Sequence, residues 1–107
     1  MTTMKPHKAR TELLEFALLN GHSEAAFGQA MGVLRNAVRH EGQPVHVHYT
    51  GNRRTAPRHA CLEDIVGDPK ANQLAAIATE ATPGTHFSTQ IRNDRCETFT
   101  VSTNAPA

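Results

Sequence analysis

Apolar positions recur at helical spacing through the first part of the chain and switch to strict alternation at residue 45. Over residues 9–19, Leu13, Leu14, Phe16, Ala17 and Leu18 mark a helix with a wide buried stripe, and the Asn20-Gly21 step supplies its stop. Ser23 caps a second helix that runs through Phe27 to Met31 and meets Gly32. A third helix is predicted over 34–40, with Ala37 and Val38 turned inward and Arg35, Asn36, Arg39 and His40 turned outward. The stretch "PVHVHYT" then alternates Val45, Val47 and Tyr49 with His46, His48 and Thr50, the pattern of a half-buried strand. Residues 50–57, "TGNRRTAP", form a basic turn. Pro57 opens a short helix through Cys61, Leu62 and Ile65, which "GDP" at 67–69 ends. An alanine-rich helix follows over 71–81, with Leu74, Ile77 and Ala78 inward. Last comes a hairpin, "THFSTQI" and "CETFTVS" joined by "RNDR", whose buried face is Phe87, Thr89, Ile91, Phe99 and Val101.

The Met31-Gly32-Val33 step interrupts what would otherwise be one helix. Two short helices joined by a tight turn need a small residue where they cross, a glycine free to take positive φ at the turn, and apolar residues that lock the crossing. With Glu24 as the first position, Gly28 falls at the crossing and Gly32 at the turn, while Phe27, Met31, Val33 and Val38 take the core positions. This is helix-turn-helix spacing, and it resembles the Cro-like phage repressors. "MGVLRNAV" looks like the "LGVxxxAI" that opens their recognition helix, and "PVHVHY" occurs near the place of the first strand in lambda-type Cro proteins. "GNRRTAPRHACLEDI" is similar to the basic turn and proline-started helix of the YdaS-like members. The resemblance covers residues 10–66.

The expected fold is therefore α+β: an N-terminal helix-turn-helix bundle with a small antiparallel sheet made of one central strand and a C-terminal hairpin. Residues 1–107 form a single domain, since the length supports only one core. Within it, 10–66 is the DNA-binding part and 70–103, a helix plus hairpin, is a dimerisation part. The resemblance implies a sequence-specific duplex DNA-binding regulator of repressor type, of phage or mobile-element origin.

Charge adds to this picture once it is divided along the chain. Residues 1–59 carry eight Lys and Arg against four Glu, a net +4, and the remainder nets −3. The first part is the end that a polyanion would meet. In the helix-turn-helix reading Arg35 or Arg39 reaches a guanine edge, Asn36 an adenine edge, and His40 lies beside them. Arg53, Arg54 and Lys8 neutralise phosphates. One such module cannot specify a site alone, so a homodimer on double-stranded DNA is expected.

Other chemistry is sparser. Cys61 and Cys96 lie outside any CxxC spacing, and Cys61 falls on an apolar stripe, which suits a small buried hydrophobe better than a nucleophile. His46 and His48 share a strand face, and His59, Cys61, His86 or Cys96 are the groups that would complete a metal tetrahedron, but the spacings match no compact zinc pattern. Surface histidines are the reading taken. No catalytic residues, cofactor or metal are assigned, and the chain is read as a binding protein rather than an enzyme. No apolar run approaches a membrane span and the N-terminus lacks an apolar signal region, so a cytoplasmic location is expected. Two alternatives stand. One is a small phage or plasmid protein that binds and inhibits a host protein complex through the polar sheet face (His46, His48, His86, Ser88, Thr98, Thr100) or an exposed hairpin edge. The other, ranked third, is a metal-dependent enzyme built on the histidines.

Overall fold

Pro6 starts the first helix in the computed structural model of the chain, which describes residues 4–40, 45–50, 57–92 and 98–102. The elements are α1 (Pro6–Leu19), α2 (Glu24–His40), β1 (Val45–Thr50), α3 (Pro57–Gly67), α4 (Pro69–Ala78), β2 (Phe87–Arg92) and β3 (Thr98–Ser102). A proline at the first helical position sacrifices nothing, because the N–H it lacks has no partner inside the helix. That is why α1 begins ahead of Ala9, whose N–H donates to the Lys5 carbonyl at 3.0 Å. The buried seam of α1 is Ala9, Leu13 and Ala17, narrower than the apolar stripe suggests: Leu18 and Leu19 are 50% and 88% exposed. Small residues in that seam let α1 lie along α4, its main packing partner. The Arg10 guanidinium rests 5.2 Å from the centroid of the Phe27 ring and ties α1 to α2.

Gly21, at φ +85°, ends α1 as expected. The N–H of His22 donates to the Ala17 carbonyl and that of Gly21 to Leu18, both at 3.0 Å, which is the Schellman closure. Ser23 then caps α2, its Oγ accepting from the Ala26 N–H at 3.1 Å.

The expected turn at Gly32 is not formed. α2 runs unbroken from Glu24 to His40, Gly32 is inside it, and its φ is not positive. Gly28 is no crossing point either: a Cβ added at Gly28 or Gly32 would meet nothing within 4 Å. Both glycines are exposed. The reason is phase. Ala26, Phe27, Ala30, Met31, Leu34 and Ala37 are all buried, and this set keeps one helical period straight through residue 32, so one continuous helix buries all of it. The helix-turn-helix bundle and the separate 34–40 recognition helix are therefore replaced by a single amphipathic helix.

The "GDP" step ends α3 and begins α4. Asp68 caps α4, its Oδ1 accepting from the Ala71 N–H at 2.9 Å, with Pro69 at the first position. α4 stops at Ala78, short of the expected 81, with the same two-bond closure seen in α1. Glu80 N–H donates to Ile77 at 3.1 Å and Ala81 N–H to Ala76 at 2.9 Å. Here the left-handed position is taken by Glu80, at φ +57°, where α1 uses glycine. That conformation costs a non-glycine residue roughly 1 kcal/mol. Thr82 to Thr85 then make a turn of type II pattern, with Pro83 second, Gly84 third at φ +89°, and Thr85 N–H donating to the Thr82 carbonyl at 3.0 Å.

The sheet order is β1-β2-β3. β2 is central rather than β1, and the sheet is mixed rather than antiparallel: β1 pairs parallel with β2 from Val45↔Phe87 to Thr50↔Arg92, while β2 pairs antiparallel with β3. The parallel pairing follows from the connection, because α3 and α4 carry the chain back to the end of the sheet from which β1 started. Val45, Val47, Phe87 and Thr89 are buried on the face toward the helices. The side chains of Ile91, Phe99 and Val101 lie outside the described residues, and Ser88, expected on an exposed polar face, is buried.

Asn72, 2% exposed, joins the helices to the sheet. Its Nδ2 donates to the Val66 carbonyl at 2.9 Å and the Phe87 carbonyl at 3.1 Å, and its Oδ1 accepts from the Phe87 N–H at 3.0 Å. A second long-range tie is the 2.5 Å hydrogen bond between His22 Nε2 and Asp64 Oδ2.

Candidate functional site

The C-terminal half of one continuous α2 carries the residues that the sequence assigns to base edges, Arg35, Asn36, Arg39 and His40. Its inner side buries Leu34 and Ala37, so the helical period turns Arg35, Asn36, Arg39 and His40 outward, and all four are exposed. Arg35 and Arg39 stand one turn apart on one side. Arg39 and His40 lie in the last turn, where the partial negative charge of the helix end favours cations.

Opposite them is the end of α4. The closure at Glu80 brings the chain round so that Arg35, Val38, Arg39, Ala78, Thr79 and Glu80 line a cleft of ≈ 330 Å³. The Thr79 hydroxyl is spent on its own helix, donating to the Ala75 carbonyl at 2.8 Å. Among the described residues neither arginine, nor Glu80, makes an ion pair. The cleft is thus lined by two arginines of α2 and by Glu80 just past the end of α4, with Val38 and Ala78 as its apolar lining residues.

Lys8 is exposed on α1 and is not part of the cleft lining. Arg53 and Arg54 lie outside the described residues. Glu80 was not singled out from the sequence, where "ATEATPG" reads as the tail of a helix. The only advance signal was the Pro83-Gly84 turn just beyond it.

A second cleft, of ≈ 310 Å³, is lined by Phe16, Asn20, Glu63, Asp64, Gly67 and Asp68. It is acidic where the first is basic, so the charge division along the chain becomes a division between two clefts.

Of the histidines and cysteines named as metal-ligand candidates, His59 and Cys61 are buried, while the side chains of His46, His48 and Cys96 lie outside the described residues. Among the described residues no three His, Cys, Asp or Glu side chains are grouped to hold a metal ion. Cys61 is fully buried, and burial, helped by the nearby Asp64 charge, pushes its thiol up to about 11. His59 is buried too, and desolvation, with the neighbouring Arg58 charge second, holds its ring below the usual 6.5. The sign follows from linkage. The unfolded chain takes up a proton near 6.5 that the folded ring resists, so the stability from the neutral ring is complete above that value and is lost as pH falls through it. Urea midpoints measured at about pH 7.5 and 5.5 are expected to fall less in His59→Leu than in the wild type. An unchanged pH slope in the variant would assign the loss to other groups.

Among the described residues no helix is long and apolar enough to cross a membrane. Comparison of the chain with protein-family models, with curated proteins and with solved structures finds no match among any of them.

Proposed function

We propose that this protein binds nucleic acid through the phosphate backbone, using the outward side of the C-terminal half of α2. The observation that carries this is the pair Arg35 and Arg39, exposed, one turn apart and without an ion-pair partner among the described residues, flanked by exposed Asn36 and His40. Guanidinium groups at that spacing suit successive phosphates of one strand, and Asn36 and His40 add hydrogen-bond donors beside them. The helix-turn-helix form of this reading is not kept, since no turn at Gly32 sets off a recognition helix. A homodimer remains compatible with it, because β3 is an edge of the sheet as described and offers a row of backbone groups to a second copy.

The test is a salt titration of DNA binding by fluorescence anisotropy. Wild-type affinity is expected to fall steeply with salt. The double variant Arg35→Ala/Arg39→Ala should lose at least about tenfold in affinity and lower the salt slope by about 1.5, with its melting temperature unchanged. Equal affinity of the variant and the wild type would overturn the assignment.

A second reading, a module that docks on a partner protein, is favoured by the adjacent exposed side chains of Leu18 and Leu19. Under it Leu18→Ser/Leu19→Ser abolishes partner binding and leaves DNA affinity unchanged.

A further inference from the structure

We propose that the cleft between α2 and α4 receives one unpaired nucleotide of a single strand and selects guanine, with the phosphate on Arg35 and Arg39 and the base edge on the Glu80 carboxylate. This rests on the nucleic-acid reading and goes beyond it in naming the strand form, the base and the residue that chooses it.

Three observations lead here. The first is shape. Reading base edges inside a duplex groove takes an element that protrudes, whereas Arg35, Arg39 and Glu80 line a concavity of ≈ 330 Å³ between two helices. A concavity is filled by a base turned out from a single strand.

The second is charge. A site for phosphate alone has no use for a carboxylate, which would repel the ligand. A carboxylate beside two arginines suits a ligand that is anionic at one end and presents two adjacent donors at the other. Ionised carboxylates accept hydrogen bonds and do not donate. Along the pairing edge, guanine sets N1–H and an N2 amino hydrogen side by side, matching the two carboxylate oxygens. Adenine and cytosine set an acceptor beside their donor, and thymine or uracil flanks its one N–H with two acceptors. Guanine alone makes both bonds.

The third is the backbone. The same helix closure occurs twice, with Gly21 in α1 and with Glu80 in α4, each in the left-handed region. The position that glycine takes in α1 is held in α4 by a glutamate, and that glutamate is a lining residue of the cleft.

Anisotropy of a labelled short oligothymidylate, and of the same strand with one central guanine, adenine or cytosine, tests the proposal on the full chain. The guanine strand is expected to bind at least about fivefold tighter than the other three. Glu80→Gln and Glu80→Gly should each erase that difference. Glycine suits the left-handed position, so the second variant stays folded, and circular dichroism checks this. Equal wild-type affinity for all four strands overturns the guanine proposal and leaves the backbone-binding reading in place. So does a uniform rise in affinity for all four strands in both variants, which would make Glu80 a simple repulsive charge. Absence of binding to every strand and to duplex DNA overturns both.

Discussion

Asn72→Leu is expected to lower the stability of the fold by about 3 kcal/mol or more, the largest effect of any single substitution considered for this chain. Leucine has the same branching and number of side-chain heavy atoms as asparagine and is the better helix former, so helix propensity works against the loss. What disappears is three hydrogen bonds, leaving the Val66 carbonyl and both backbone groups of Phe87 without the partner that now satisfies them. Each buried backbone group so stranded costs about 1–3 kcal/mol. For a chain of this size the melting temperature should drop by more than about 10 °C. Asn72→Asp separates the contributions, since it keeps an acceptor for the Phe87 N–H but, when ionised, offers no donor to either carbonyl. An unfolding free energy from urea titration of the leucine variant within about 0.5 kcal/mol of wild type would show that the amide is not what joins α4 to β2.

Gly28→Ala/Gly32→Ala is expected to act in the opposite direction, raising stability by about 1–2 kcal/mol and the melting temperature by roughly 5–10 °C. Both glycines lie within α2, neither has a positive φ, and a Cβ at either site meets nothing within 4 Å. Alanine therefore removes backbone entropy from the unfolded chain without strain in the folded one. The sign is the informative part. A glycine that formed a turn with positive φ would lose stability on this change, so a lower melting temperature would restore a break in the helix.

α2 differs from its expected two-helix form for a definite reason. Glycine marks a turn only where the apolar phase changes with it, and Leu34 continues the phase of Phe27, Ala30 and Met31. The period of the buried set was the stronger signal, and it was present in the residues. Local chemistry served better at Gly21, Ser23 and Asp68, where the closing or capping group acts within a few positions. Pairing direction in the sheet is legible too, but the antiparallel expectation misses it: two helices between residues 50 and 87 leave room for a crossover, and a crossover favours the parallel strands found. In the cleft, Arg35 and Arg39 stand out by charge and spacing. Glu80 does not, because its placement depends on a left-handed residue that the sequence gives no reason to expect at a glutamate, and on the packing of α4 beside α2. Asn72 was hidden for a similar reason, since its partners are a helix end and a strand distant in sequence.

The crossover also sets an order of assembly. β1 is made early, but its partner within the described sheet is β2, which leaves the ribosome only after α3 and α4. During that interval the alternating "VHVHYT" segment has an unsatisfied edge, and α1 still waits for α4. Non-local pairings of this kind slow folding, because the loop between them must close before any contact repays it. The vulnerable period of this protein's life is thus the time taken to synthesise α3 and α4, when a growing chain carries an open strand that a neighbouring nascent chain can pair with.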